Sequence, residues 1–237
     1  MKQRIVLLFI ISLLLTGCGS PATATQAALI PTVELAATSA PLLPTETPTA
    51  TSVATATPIP DLGTLGFPRL PAGTVAYDFV AEMCAAQWYN RGASLPCPGD
   101  ASQMKAGYVQ QFEGKAEGIP AGFPMLLAYP PGEHYSTISS LYPPFTVQTG
   151  DRFRAVFACK VHSFCDVEFV LNYFHGHGQT GLNHWHYLFT EAPMVIDFSL
   201  DKLAGQTVQF DLALAVVGNR PDTYAVWVAP HIFRLAR

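Results

Sequence analysis

Val167-Glu168-Phe169-Val170-Leu171-Asn172-Tyr173 puts an apolar or aromatic residue at positions 167, 169, 171 and 173. Side chains of an extended chain alternate between two faces, so these four line one face of a β-strand. The same rhythm recurs on either side. Upstream, Val75-Ala76-Tyr77-Asp78-Phe79 alternates once, and Phe145-Thr146-Val147 leads through Gly150-Asp151 into Phe153-Arg154-Ala155-Val156-Phe157. Downstream, Val208-Gln209-Phe210-Asp211-Leu212 and Tyr224-Ala225-Val226-Trp227-Val228 repeat it. No window of about 12 residues carries a 3.6-residue apolar stripe. The pattern predicts an all-β fold, a β-sandwich of about 8–10 short antiparallel strands separated by Gly, Pro and Asp turns.

The strands occupy only part of the 237 residues. Lys2 and Arg4 precede an almost wholly apolar run, Ile5 to Leu15. That run is too short for the ~20 residues of a membrane-spanning helix and reads as the core of an export signal over residues 1–17. It ends in Leu15-Thr16-Gly17-Cys18, which resembles the lipobox of bacterial lipoproteins. The resemblance implies cleavage before Cys18, a lipid on its thiol, and a chain tethered to the cell envelope with its domain outside or in the periplasm. Residues 19–60 hold 10 Thr, 10 Ala and 7 Pro, with Glu34 and Glu46 as the only charges. Such a tract buries too little apolar surface to offset its ordering entropy. Residues 18–60 are therefore expected to be a disordered, semi-rigid stalk, leaving residues 61–237 as one folded domain.

Charged residues make up 13% of the chain, with a net charge of -4. No Lys/Arg cluster could neutralise phosphates, so nucleic acid is not an expected partner. With Cys18 assigned to lipid, four cysteines remain in an exported protein, and disulfides are their expected state. Three pairings are open, of which the local ones, Cys84–Cys97 and Cys159–Cys165, are favoured. The second would staple a hairpin tip. A zinc site would want a Cys-x-x-Cys pair, which the chain lacks.

Three further stretches carry a resemblance. Residues 142–153, Tyr-Pro-Pro-Phe-Thr-Val-Gln-Thr-Gly-Asp-Arg-Phe, look like an inner strand, tight turn and return strand of a jelly roll. Leu200-Asp201-Lys202-Leu203-Ala204-Gly205-Gln206-Thr207-Val208 is similar to the corner that precedes a long strand in galactose-binding-like domains. Ala225-Val226-Trp227-Val228-Ala229-Pro230-His231-Ile232 resembles their closing strand, with Ala229 and Pro230 where acids are common. The resemblance implies a jelly-roll sandwich and a non-catalytic module, often a glycan binder.

Four of the seven histidines fall between positions 175 and 186. His175/His177 and His184/His186 are each spaced by two, which on a strand aims both imidazoles to one face. The Gly-rich centre between the pairs suggests a hairpin that would bring them together. Neutral imidazoles so placed could hold a divalent metal such as Zn, Cu, Mn or Fe; no other cofactor is expected. Gly178-x5-His184-x-His186-x4-Glu191 also resembles the first half of the cupin motif. That likeness implies His184, His186 and Glu191 as ligands of a metalloenzyme, although Phe198 stands where the motif closes on Gly. The same segment suits sugar recognition. Trp185 and Tyr187 offer rings for sugar C–H faces, and Asn183, His184 and His186 offer hydrogen bonds. Trp88, Tyr89, Asn90 and Arg91 form a second such patch in the Cys84–Cys97 loop. No nucleophile elbow, P-loop or dinucleotide fingerprint occurs. The leading expectation is a surface-anchored module that binds carbohydrate or another extracellular ligand. The alternatives are a cupin-like metalloenzyme and a purely structural or assembly protein bound to a surface partner.

Overall fold

The structure is a computed structural model that describes residues 62–69, 71–131, 136–176, 178–218 and 222–236. The export signal, Cys18, the stalk and His177 lie outside the described residues. Among the described residues thirteen strands follow in chain order. They are β1 (Gly73–Asp78), β2 (Gln87–Asn90), β3 (Ala93–Leu95), β4 (Tyr108–Gln111), β5 (Met125–Tyr129), β6 (Thr137–Leu141) and β7 (Phe145–Thr146). After them come β8 (Asp151–Cys159), β9 (Asp166–His175), β10 (Gly178–Leu188), β11 (Met194–Ser199), β12 (Thr207–Val216) and β13 (Ala225–Leu235). Nine of these are five residues or longer, in line with the eight to ten expected; β2, β3, β4 and β7 are the short additions. Among the described residues no helix is long and apolar enough to cross a membrane.

The strands form two antiparallel sheets packed face to face. The first runs β11-β8-β13-β5-β4, with β1 also on β13; the second runs β10-β9-β12-β6-β2-β3, with β7 also on β12. Their inner faces share one core. Phe157 stacks on Phe169 across the sheets with centroids 4.1 Å apart, and Trp227 stands nearly perpendicular to both, at 4.9 and 4.8 Å. Each of these rings is at most 1% exposed, and full burial of such a side chain is worth about 1.5–3 kcal/mol.

Composition decides what covers each outer face. In β8, Phe153-Arg154-Ala155-Val156-Phe157-Ala158-Cys159 is apolar on both parities apart from Arg154, so both faces must be buried. A second apolar cluster accordingly covers the first sheet from outside, where Phe67, Phe112, Ala116 and Phe123 pack on Val156, Ala158, Val226 and Val228. Arg154 pins this cover. Its guanidinium lies 4.3 Å from the Phe67 ring and donates to the Pro68 carbonyl at 3.0 Å. By contrast β9 and β12 alternate, with Val167, Phe169 and Leu171, then Phe210, Leu212 and Leu214, facing the core. Their other parity is polar or small apart from Val170 and Phe174.

Both local disulfides form. Cys84–Cys97 ties the turn Met83–Ala85 to the end of the β2–β3 hairpin, with Cα atoms 5.2 Å apart. Cys159–Cys165 spans 6.1 Å between Cα atoms, but it does not staple a hairpin. β8 belongs to the first sheet and β9 to the second, so this bridge closes the crossover between sheets. The Gly150-Asp151 turn likewise carries the chain from β7 in the second sheet to β8 in the first, where a return strand was expected. The corner at 200–208 is present. Asp201–Leu203 is a short 3-10 turn, Asp201 accepts from the Gly150 amide at 2.8 Å, and Gly205 turns the chain with φ +83°. The final strand is not an edge, because β13 sits between β8 and β5.

Candidate functional site

The outer face of the second sheet is built by the outward parity of its strands. β9 presents Glu168, Val170, Asn172 and Phe174, and β12 presents Gln209, Asp211, Ala213 and Ala215. On β10 the outward positions are Gln179, Gly181, His184 and His186, paired with Phe174, Asn172, Val170 and Glu168. β6 adds Thr137, Ser139 and Leu141, and β2 adds Gln87 and Tyr89. Thr137, Ser139, Ala213 and Ala215 lie in the middle of the face, with His184, His186 and Tyr89 at its flanks. Neighbouring strands lie ~4.8 Å apart, so β10 and β2 stand roughly 19 Å from each other.

A polar network sits at the end of this face beside the β9–β10 turn. Asp211 is 1% exposed although it points outward. Its Oδ1 accepts from the Ser140 amide at 2.8 Å, and its Oδ2 accepts from Asn172 Nδ2 and Gln179 Nε2, both at 2.9 Å. Burial pushes its carboxyl above the usual carboxylate value, while the donated hydrogen bonds pull it back. Gln209 donates to the Tyr142 carbonyl at 3.1 Å. Phe174, half-buried, lies between Gln179 and Gln209 in the strand register. The Asn172–Asp211 pair lies two residues along the same parity from Phe174.

The residues singled out in the sequence scatter around this network. Trp88 is 2% exposed and donates its indole N–H to the Met83 carbonyl at 2.8 Å, so it is core and offers no ring face to a ligand. Tyr187 is fully buried, pushed up to about 12 chiefly by burial, with its hydroxyl donating to the Glu191 carbonyl at 3.2 Å. Trp185 also turns inward, packing on Phe157 and Phe198 at 5.4 and 6.3 Å. Asn183 sits at a register shift in β10 and accepts from the His184 amide at 2.9 Å. Arg91 lies exposed in the β2–β3 turn with φ 48°, and Tyr89 bonds Gln87 on the outer face.

Among the described residues the histidines do not converge. β9 ends at His175, and Gly178 to Gly181 run inside β10. His175 pairs with Gly178 at the hairpin end, whereas His184 pairs with Val170, five residues down β9. At ~3.4 Å per residue, that is roughly 17 Å. His175 instead lies 3.3 Å from the Thr207 carbonyl, and His186 Nε2 is 2.7 Å from Asp166 Oδ1. The Glu191 carboxylate turns back to the Leu188 amide at 3.2 Å, bracing the β10–β11 turn. Among the described residues no group of three or more His, Cys, Asp or Glu could hold a metal ion. The cupin-like ligand set is thus divided between a strand face and a turn.

Asn172, Phe174, Gln179, Gln209 and Asp211 are not among the ligand candidates that the sequence suggests. Their signal was the half of the alternation not used to find the core. A separate open depression of about 700 Å³ lies where β8 crosses to β9, lined in part by Glu117, His162, Phe164, Phe189 and Glu191.

No protein-family profile matches the chain. No curated protein matches it either. Among solved structures, it is similar to a carbohydrate-binding module of the β-sandwich superfamily, with TM-score 0.45 and 10% identity over 69% of this chain. The chain spans 62% of that protein's length. It is also similar to a carbohydrate-binding module in complex with β-1,4-galactotriose, with TM-score 0.40 and 10% identity over 66% of this chain and 94% of the other. A third is the module pair of a Clostridium thermocellum xylanase in complex with xylohexaose, with TM-score 0.39 and 9% identity over 71% of this chain and 29% of that one. These are likenesses of architecture, and the sugars named belong to those proteins.

Proposed function

We propose that the domain is a non-catalytic module that binds carbohydrate on the outer face of its second sheet. The observation that carries this is the contrast between the two outer faces. The first bears an apolar cluster that the chain itself covers; the second carries mostly polar and small residues, and bears Phe174 flanked in register by Gln179 and Gln209 near the buried Asp211 carboxylate. Apolar stacking gives a sugar affinity, and directional hydrogen bonds give it orientation. One ring and a few exposed hydrogen bonds correspond to weak binding, roughly 10 µM to 1 mM.

The test is a polysaccharide panel titrated against the full chain with both disulfides intact, alongside Phe174→Ala. Phe174 is only half-buried on the outer parity, so the variant keeps its melting temperature and loses at least about tenfold in affinity. Binding unchanged in Phe174→Ala, or no binding across the panel, would overturn the proposal.

Two formed disulfides are the state of a domain matured in an oxidising compartment. With that setting, Leu15-Thr16-Gly17-Cys18 supports the further proposal that Cys18 carries a lipid anchor and that residues 18–60 hold the domain away from the membrane. Metabolic labelling with a fatty acid, lost in Cys18→Ser, checks it.

A further inference from the structure

We infer, on the reading that this face binds sugar, that Asp211 sets its specificity: the site takes neutral glycans that donate hydrogen bonds and turns away those carrying carboxylate or sulfate groups. An ionised carboxylate can only accept, so Asn172 and Gln179 must both turn their NH₂ groups toward Asp211 Oδ2. Their carbonyl oxygens then point away from it. Asn172 Oδ1 lies 3.6 Å from where a Cβ of Gly181 would sit, so it borders space that the glycine leaves empty. A Cβ on Gly178 would meet nothing within 4 Å. The β10 glycines therefore keep the face open beside two oriented acceptors.

Acceptors want donors. A sugar hydroxyl supplies one, whereas a carboxylate or sulfate supplies only lone pairs and meets Asp211 as a like charge. The wider field has the same sign. None of the seven strands of the second sheet contains Lys or Arg, while Asp166, Glu168 and Asp211 all lie on its outward parity. Arg152, Arg154 and Arg234, by contrast, are all in the first sheet. Asp211 acts here through the two amides, as a positioning residue.

The experiment compares a neutral polysaccharide with its carboxylated counterpart, using the full chain at low salt. The native chain is expected to bind the neutral form about tenfold or more tightly than the charged one. Asp211→Asn frees the two amides to rotate, and the discrimination ratio should collapse toward unity. A melting scan of the variant separates this from unfolding. Gln179→Lys, at an exposed position, keeps the question answerable if Asp211→Asn does not fold; it should reverse the preference toward the carboxylated glycan. Equal binding of both glycans by the native chain overturns the inference and leaves the sugar-binding reading standing. Binding of neither overturns both.

Discussion

His231 is fully buried on β13, and its Nδ1 lies 2.7 Å from the Ala229 carbonyl. A carbonyl only accepts, so the proton sits on Nδ1, and Nε2 has no hydrogen-bond partner. Burial, with Arg154 nearby adding repulsion, holds its pKa below the usual 6.5. The sign follows from linkage. The unfolded chain takes up the proton first, so stability is full above about pH 6.5 and falls as pH drops from there toward the depressed folded value. His231→Phe should lose less melting temperature than the native chain between about pH 7 and pH 5. Equal losses would show that His231 does not govern this window. At this scale the sequence was least legible. Trp88 and Tyr187 look like any amphipathic aromatics, and only their burial, 2% and 0%, separates core from surface. Parity along β10 was readable, but the register shift near Asn183 and the partners that fix which parity faces inward were not.

At the scale of elements, the alternation of β9 and β12 and the two-sided apolar run of β8 were plain in the sequence. Sheet membership was not, because a turn such as Gly150-Asp151 looks the same whether the chain returns to its neighbour or crosses to the other layer. The disulfides show the consequence. Chain entropy gives about 2 kcal/mol for the Cys159–Cys165 loop and about 3 kcal/mol for the longer Cys84–Cys97 loop. Accessibility adds an order of events. Cys159 and Cys165 are fully buried, whereas Cys84 is exposed. Mild thiol should open Cys84–Cys97 first, read by alkylation and mass spectrometry, with the sandwich still folded. Prior opening of Cys159–Cys165 would mean that the crossover end breathes more than its burial allows.

At the scale of the whole molecule, the two sheets are chemically unequal. The first spends both faces on burial, with Arg154 stacked on Phe67 to hold the outer cover. The second spends one face on the shared core and leaves the other mostly polar, its strands free of Lys and Arg and floored by Ala213 and Ala215. The sheet order makes that face six strands wide, and it is the surface proposed to bind sugar. Hydrogen exchange with and without a saturating neutral glycan tests that assignment most directly, because it reports position and not merely binding. The expected result is protection confined to β9, the first half of β10 and β12. Protection at 112–124 on the first sheet, or at 160–165 and 189–193 around the crossover depression, would contradict it.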